Sequence, residues 1–170
     1  MQKAEKDFFD VFDFKQNLVI SWPVGVGKTH TAKKLLQKAK DSDKYTYEIS
    51  DAKFKKLVQS QMMNHRHPED WQSSLEMYPL EMILRSTVLL YDDVGVSDIS
   101  DPYVRDLTYI LDERVKAKKY TIFTTNLTEA ELREKLPEHI VSRILFDATV
   151  IVMSGLDRRR ETTQILSYSE

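Results

Sequence analysis

The chain of 170 residues contains no cysteine. That excludes a disulfide scaffold, thiolate-ligated zinc, iron–sulfur clusters and a thiol nucleophile. No apolar run approaches the ~20 residues needed to cross a bilayer. The first residues, MQKAEKDFFDVFDFKQ, are charged throughout and do not read as a secretory leader. The expected location is therefore the cytoplasm, without membrane contact. A surplus of one charge sign is also lacking: Lys plus Arg number 25, Asp plus Glu 27, for a formal charge of -2. A protein that coats nucleic acid with its whole surface is thereby excluded, though a local basic patch is not. Glycine is scarce, with only Gly25, Gly27, Gly95 and Gly155. That is about 2%, against the usual ~7%, so each glycine is expected where the backbone requires it. The remaining composition, 41% hydrophobic and 31% charged, is that of one globular domain with a proper core.

Strand-like and helix-like patterns alternate from end to end. Apolar β-rich runs occur at 17–21 (NLVIS), 45–49, 87–91 (TVLLY), 120–124 and 149–153. Between them lie helical stretches, one carrying Ala32, Leu35, Leu36 and Ala39, another Phe54, Leu57, Val58, Gln61 and Met62. Residues 64–79 read as an irregular excursion, and Leu80 to Leu84 as a short helical lead-in to the third strand. Asp101 and Pro102 predict a helix start, N-cap then first position, ahead of Val104, Leu107, Leu111 and Val115. Thr128 and Glu131 predict a capping box. The expectation is an α/β fold over residues 1–170, a five-stranded parallel sheet between helices.

After the first strand comes Trp22-Pro23-Val24-Gly25-Val26-Gly27-Lys28-Thr29-His30, and then a helix. A phosphate loop needs glycines that let backbone N–H groups turn inward around phosphate oxygens. It also needs a lysine for the β/γ oxygens, a hydroxyl for Mg²⁺ and a helix N-terminus aimed at the anion. Gly25, Gly27, Lys28 and Thr29 meet those needs, while Trp22 stands where the strict pattern has its first glycine. The third strand ends in Asp92 and Asp93, suited respectively to holding Mg²⁺ and to polarising an attacking water. The fourth runs into Asn126, an amide able to orient that water or, alternatively, a turn former before a capped helix. Arg143 lies at the end of a helix before the last strand, where nothing local distinguishes it from a solvated arginine.

In this order and spacing, VGVGKTH, LLYDDVG, IFTTNLT and HIVSRIL resemble the DnaC/DnaI helicase loaders and the IstB transposition helper ATPases, AAA+ proteins of the initiator clade. The resemblance runs from about residue 14 to 160. It implies a P-loop NTPase fold with ATP and Mg²⁺ bound, and assigns Lys28 and Thr29 to Walker A, Asp92 and Asp93 to Walker B and Asn126 to sensor 1. Arg143 becomes an arginine finger that completes a neighbouring subunit's site. It further implies self-association in a ring or spiral, contact with single-stranded DNA, and a replicative helicase or a transposase as partner. No helical lid is expected after the fifth strand, and no amino-terminal extension before the first.

Other readings compete for particular residues. Lys53, Lys55 and Lys56 around Phe54 suit single-stranded DNA, or form a solvated face with Phe54 in the core. His65 and His67 are surface polar residues before they are metal ligands. Arg158, Arg159 and Arg160 are a solvated cluster, or phosphate clamps in a kinase. Phe8, Phe9, Phe12 and Phe14 are expected to pack on the core edge rather than stack on adenine. A nucleotide-gated binding module with negligible turnover is the competing class to an ATPase.

Overall fold

The structure is a computed structural model that describes residues 12–21, 28–64, 77–154 and 162–168. Trp22 to Gly27 of the phosphate loop, Phe8, Phe9, His65, His67, Gly155 and Arg158 to Arg160 lie outside the described residues.

Among the described residues, six strands form one sheet in the order β2-β3-β4-β1-β5-β6. They are β1 (Asn17–Ser21), β2 (Thr46–Ser50), β3 (Val88–Asp92), β4 (Tyr120–Thr125), β5 (Ala148–Ser154) and β6 (Thr162–Tyr168). The first five run parallel, as the alternating pattern predicts. The sixth is an addition to the sequence reading: β6 runs antiparallel along the whole of β5, from Ala148↔Tyr168 to Ser154↔Thr162.

The helices are α1 (Lys28–Asp41), α2 (Asp51–Asn64), α3 (Met77–Arg85), α4 (Asp101–Lys116), α5 (Glu129–Lys135) and α6 (Glu138–Leu145). The third begins at Met77, three residues before the predicted lead-in. Its Pro79 falls in the first turn, where a missing N–H costs no helix bond.

Strand residues alternate between two apolar cores. Leu18, Ile20, Val88, Leu90 and Ile122 face α1, whose Ala32, Leu35 and Ala39 recur on one side of the helix. Phe12 and Phe14 close that core, their rings edge to face at 5.2 Å, so the expectation of core packing holds for both. Val19, Leu89, Tyr91 and Phe123 point the other way, into a larger core with α2, α4 and α6. Phe54 belongs there, 2% exposed and edge to face with Tyr91 and Tyr103. The core reading of Phe54 is therefore the correct one.

Two caps sharpen the sequence reading. The N-cap of α4 is Ser100, in extended backbone, rather than Asp101; this moves Asp101 and Pro102 one position into the helix. Asp101 there favours the positive end of the helix dipole. Thr128 caps α5 as predicted: its hydroxyl accepts from the Glu131 N–H while the Glu131 carboxylate accepts from the Thr128 N–H at 2.7 Å. Thr128→Ala is expected to cost about 1 kcal/mol. That lowers the thermal midpoint by about 2–4 °C in a chain of this size. An unchanged midpoint in a calorimetric scan refutes the assignment.

Candidate nucleotide site

The described site residues converge at the carboxyl ends of the parallel strands, where ligands bind in open α/β sheets. Asp92 ends β3, Asn126 directly follows β4, and Lys28 and Thr29 open α1 behind β1. The first turn of α1 carries no acid. Acids are favoured there by the helix dipole; the charged residue in that turn is instead the cation Lys28.

Lys28 is nearly enclosed, its side chain 11% exposed. Its ammonium donates to Asn126 Oδ1 and lies 3.1 Å from Asp93 Oδ1. The second contact is a charge contact only. Among the described residues, Asp93 Oδ1 is buried with no aligned hydrogen-bond donor, a state that is costly for a carboxylate oxygen. The Thr29 hydroxyl reaches both oxygens of Asp92, at 3.1 and 3.3 Å. Lys28, Thr29, Asp92, Asp93 and Asn126, drawn from three parts of the sequence, thus make one cluster. His30, on the same first turn, is exposed.

The donor set at Thr29 and Asp92 fits Mg²⁺. Both present hard oxygens, and Mg²⁺ is usually held by one or two protein groups together with substrate phosphates. Among the described residues no group of three or more histidines or carboxylates is arranged to hold an ion. The Mg²⁺ assignment does not require one.

Arg143 stands apart from this cluster. It lies in the last turn of α6, and its guanidinium clamps Asp112 of α4. Nε donates to Oδ1, Nη2 to Oδ2 at 3.1 Å, and Nη1 to the His139 carbonyl at 2.6 Å. The hydrogen bond from Arg143 holds the Asp112 carboxyl below the usual carboxylate range.

Thr124 was passed over in the sequence, where it reads as one of two threonines in a β-rich run. It is fully buried at the end of β4. Its hydroxyl donates to Asp92 Oδ1 at 2.5 Å and accepts from the Asp93 N–H at 2.8 Å. Asp51, the first residue of α2, is the second such group. Only 1% exposed, it accepts from the Tyr91 and Tyr103 hydroxyls at 2.9 and 2.5 Å and from the Ser97 N–H at 2.8 Å. Burial pushes both phenols upward in pKa, so they remain donors. Asp51 in this way ties α2 to the segment that follows Asp93. Farther along α2, Lys53 and Lys56 are exposed, and Lys55 lies 3.4 Å from Asp98 in that same segment.

Residues 4–164 match the family model described as IstB-like ATP binding protein. No curated protein matches the sequence. Among solved structures the chain is similar to the DnaC helicase loader, at 26% identity and a TM-score of 0.68 over 89% of this chain and 86% of that one. It is also similar to DnaI, at 20% identity and a TM-score of 0.69, covering 89% of this chain and 82% of the other. A third is domain III of the Thermotoga maritima replication initiation protein DnaA, with 19% identity, a TM-score of 0.63 and coverage of 83% and 56%. The last two likenesses, below 25% identity, speak to the fold alone. Among the described residues no helix is long and apolar enough to cross a membrane. The α1 terminus, the Lys28 cluster and the family match agree: the chain belongs to the IstB-like ATP-binding family, on a P-loop NTPase fold.

Proposed function

We propose that the protein is an AAA+ ATPase that assists DNA replication as a helicase loader of the DnaC type. The observation that carries the hydrolytic part is the pairing of Lys28 with Asp93 and Asn126. Both acceptors are bonded to or within charge contact of the lysine that a phosphate loop uses for the β/γ oxygens, which supports their reading as groups that hold the attacking water. On phosphate binding, Lys28 exchanges these partners for β/γ oxygens and releases Asp93 and Asn126 to hold water. The water oxygen bonds to the γ-phosphorus as the bond to ADP breaks, and Asp93 takes the water proton. Thr29 and Asp92 would hold Mg²⁺, which would neutralise phosphate charge when bound. Arg143, whose guanidinium is bonded to Asp112 rather than to the Lys28 cluster, serves a neighbouring subunit in a ring or spiral.

The loader role is supported by the likeness to the DnaC helicase loader across most of both chains, and implies a replicative helicase as partner, with single-stranded DNA near Lys53 and Lys56. A second reading, a transposition helper with a transposase as partner, is supported by the motif resemblance to the IstB helpers together with the IstB-like family match. Binding to purified helicase against purified transposase separates the two.

ATP hydrolysis measured against protein concentration tests the enzyme. Specific activity is expected to rise with concentration and to vanish in Lys28→Ala. Asp93→Asn is expected to keep ATP binding and lose turnover by roughly 10²–10⁴-fold, the usual worth of a general base. Tight ATP binding without turnover at any concentration defeats the enzyme reading and leaves a nucleotide-gated module.

A further inference from the structure

Asp92 and Asp93 are adjacent in the chain, and in a continuing strand adjacent side chains point to opposite faces. Yet Asp92 meets Thr29 and Asp93 meets Lys28, within one site. The backbone makes this possible by leaving the strand at Asp93, whose φ is +61°. A non-glycine residue enters that left-handed region at a cost and stays only where its surroundings hold it.

The holder is Thr124. The β3–β4 ladder runs as far as Tyr91 opposite Phe123. One residue on, the Thr124 side chain takes over from the ladder. Its O–H donates to Asp92 Oδ1 and its oxygen accepts from the Asp93 N–H, while its carbonyl accepts from the Val94 N–H at 2.8 Å. One residue thus grips three consecutive residues of the acidic turn. Gly95 completes the turn at φ +82°; a Cβ there meets Leu127 at 3.0 Å. The hydroxyl has one proton and gives it to Oδ1, so Asp92 is held in a single orientation, facing Thr29.

We propose that Thr124 is a positioning residue of the site. Its hydroxyl aims Asp92 at the metal position beside Thr29, and keeps Asp93 in the left-handed turn that directs its carboxylate to Lys28. The proposal rests on the reading of these acids as those of an ATPase. Valine has nearly the same shape and lacks the hydroxyl; serine keeps the hydroxyl and lacks the methyl group.

The test compares wild type, Thr124→Val and Thr124→Ser. A fluorescent ATP analogue is titrated with Mg²⁺ and again in EDTA, and kcat and KM are measured separately. Thr124→Val is expected to lower kcat, and to weaken Mg²⁺-supported binding, by roughly 10–100-fold, the usual effect of losing a group that orients a metal ligand. Binding in EDTA is expected to stay near wild type, and Thr124→Ser to restore both properties. If valine does not fold, Thr124→Ala replaces it with the same readouts. Equal losses in the valine and serine variants, wild-type behaviour in the valine variant, or parallel losses with and without Mg²⁺ each overturn the proposal. A wild type without turnover counts against the ATPase reading alone, because the Mg²⁺-dependent binding difference still decides the role of Thr124.

Discussion

Arg143→Ala is expected to reduce ATP turnover by about 10³-fold or more, the range known for arginine fingers, with ATP binding by the isolated subunit unchanged. The guanidinium spends its hydrogen bonds on Asp112 and the His139 carbonyl. Lys28, Thr29 and the two acids are bonded to one another instead. The proposed arginine-finger role accordingly assigns its contribution to a neighbouring subunit's site. The Asp112 fork fixes the guanidinium plane, so little side-chain entropy remains to be lost when a phosphate is presented to it. A mixing experiment separates this from a loss of folding. Lys28→Ala subunits lack a working phosphate loop but keep the finger, and Arg143→Ala subunits have the converse defect. Mixed interfaces can pair an intact loop with an intact finger, so the combined proteins are expected to regain activity that neither has alone. An inactive mixture of two folded, associating variants counts against the trans assignment.

The second large effect is on stability. Arg114 of α4 is 1% exposed. Its donors go to the Ile83 and Ser86 carbonyls at 2.6 and 2.9 Å, the Ser86 hydroxyl at 3.1 Å, Thr121 Oγ1 at 3.0 Å and the Tyr120 carbonyl at 2.6 Å. These acceptors lie at the end of α3 and the start of β4, so one side chain joins three elements at the end of the sheet opposite the nucleotide site. Burial lowers its pKa to about 9, which leaves the group cationic at neutral pH. Carbonyls at the C-terminal end of α3 suit that charge. Arg114→Met fills much of the volume but strands several buried acceptors, each costing about 1–3 kcal/mol. The expected total, after relaxation, is about 3–5 kcal/mol, read as a lower urea midpoint. Arg114→Lys keeps the charge without the planar fork and is expected to fall between. A change below about 1 kcal/mol in the methionine variant shows that the network contributes little.

Much of the site was legible because its signals are local. A phosphate loop is a contiguous stretch, and Lys28 with Thr29 at the head of α1 follows from it. Asp92, Asp93 and Asn126 are recognisable because buried parallel strands read as apolar runs, and ligand groups stand where those runs stop. Thr124 and Asp51 were not legible in this way. A threonine inside a β-rich run and an aspartate at a helix start both have ordinary local explanations. Their partners are 32 and 40 residues away in the chain.

The sequence by itself determined the alternation of five parallel strands with helices, the two-faced burial of the inner strands β1, β3 and β4, the Thr128 cap and the grouping of Lys28, Thr29, Asp92, Asp93 and Asn126. Each of these is encoded in periodicity or in neighbours a few residues apart. Only the tertiary structure decided that β6 closes the edge beside β5, that Arg114 is interior, that Arg143 pairs with Asp112, and that Thr124 grips the acidic turn. A charged or polar side chain looks the same in the sequence whether it meets water or a distant partner. Burial and long-range pairing assign its role, and both come from the packing of elements far apart in the chain.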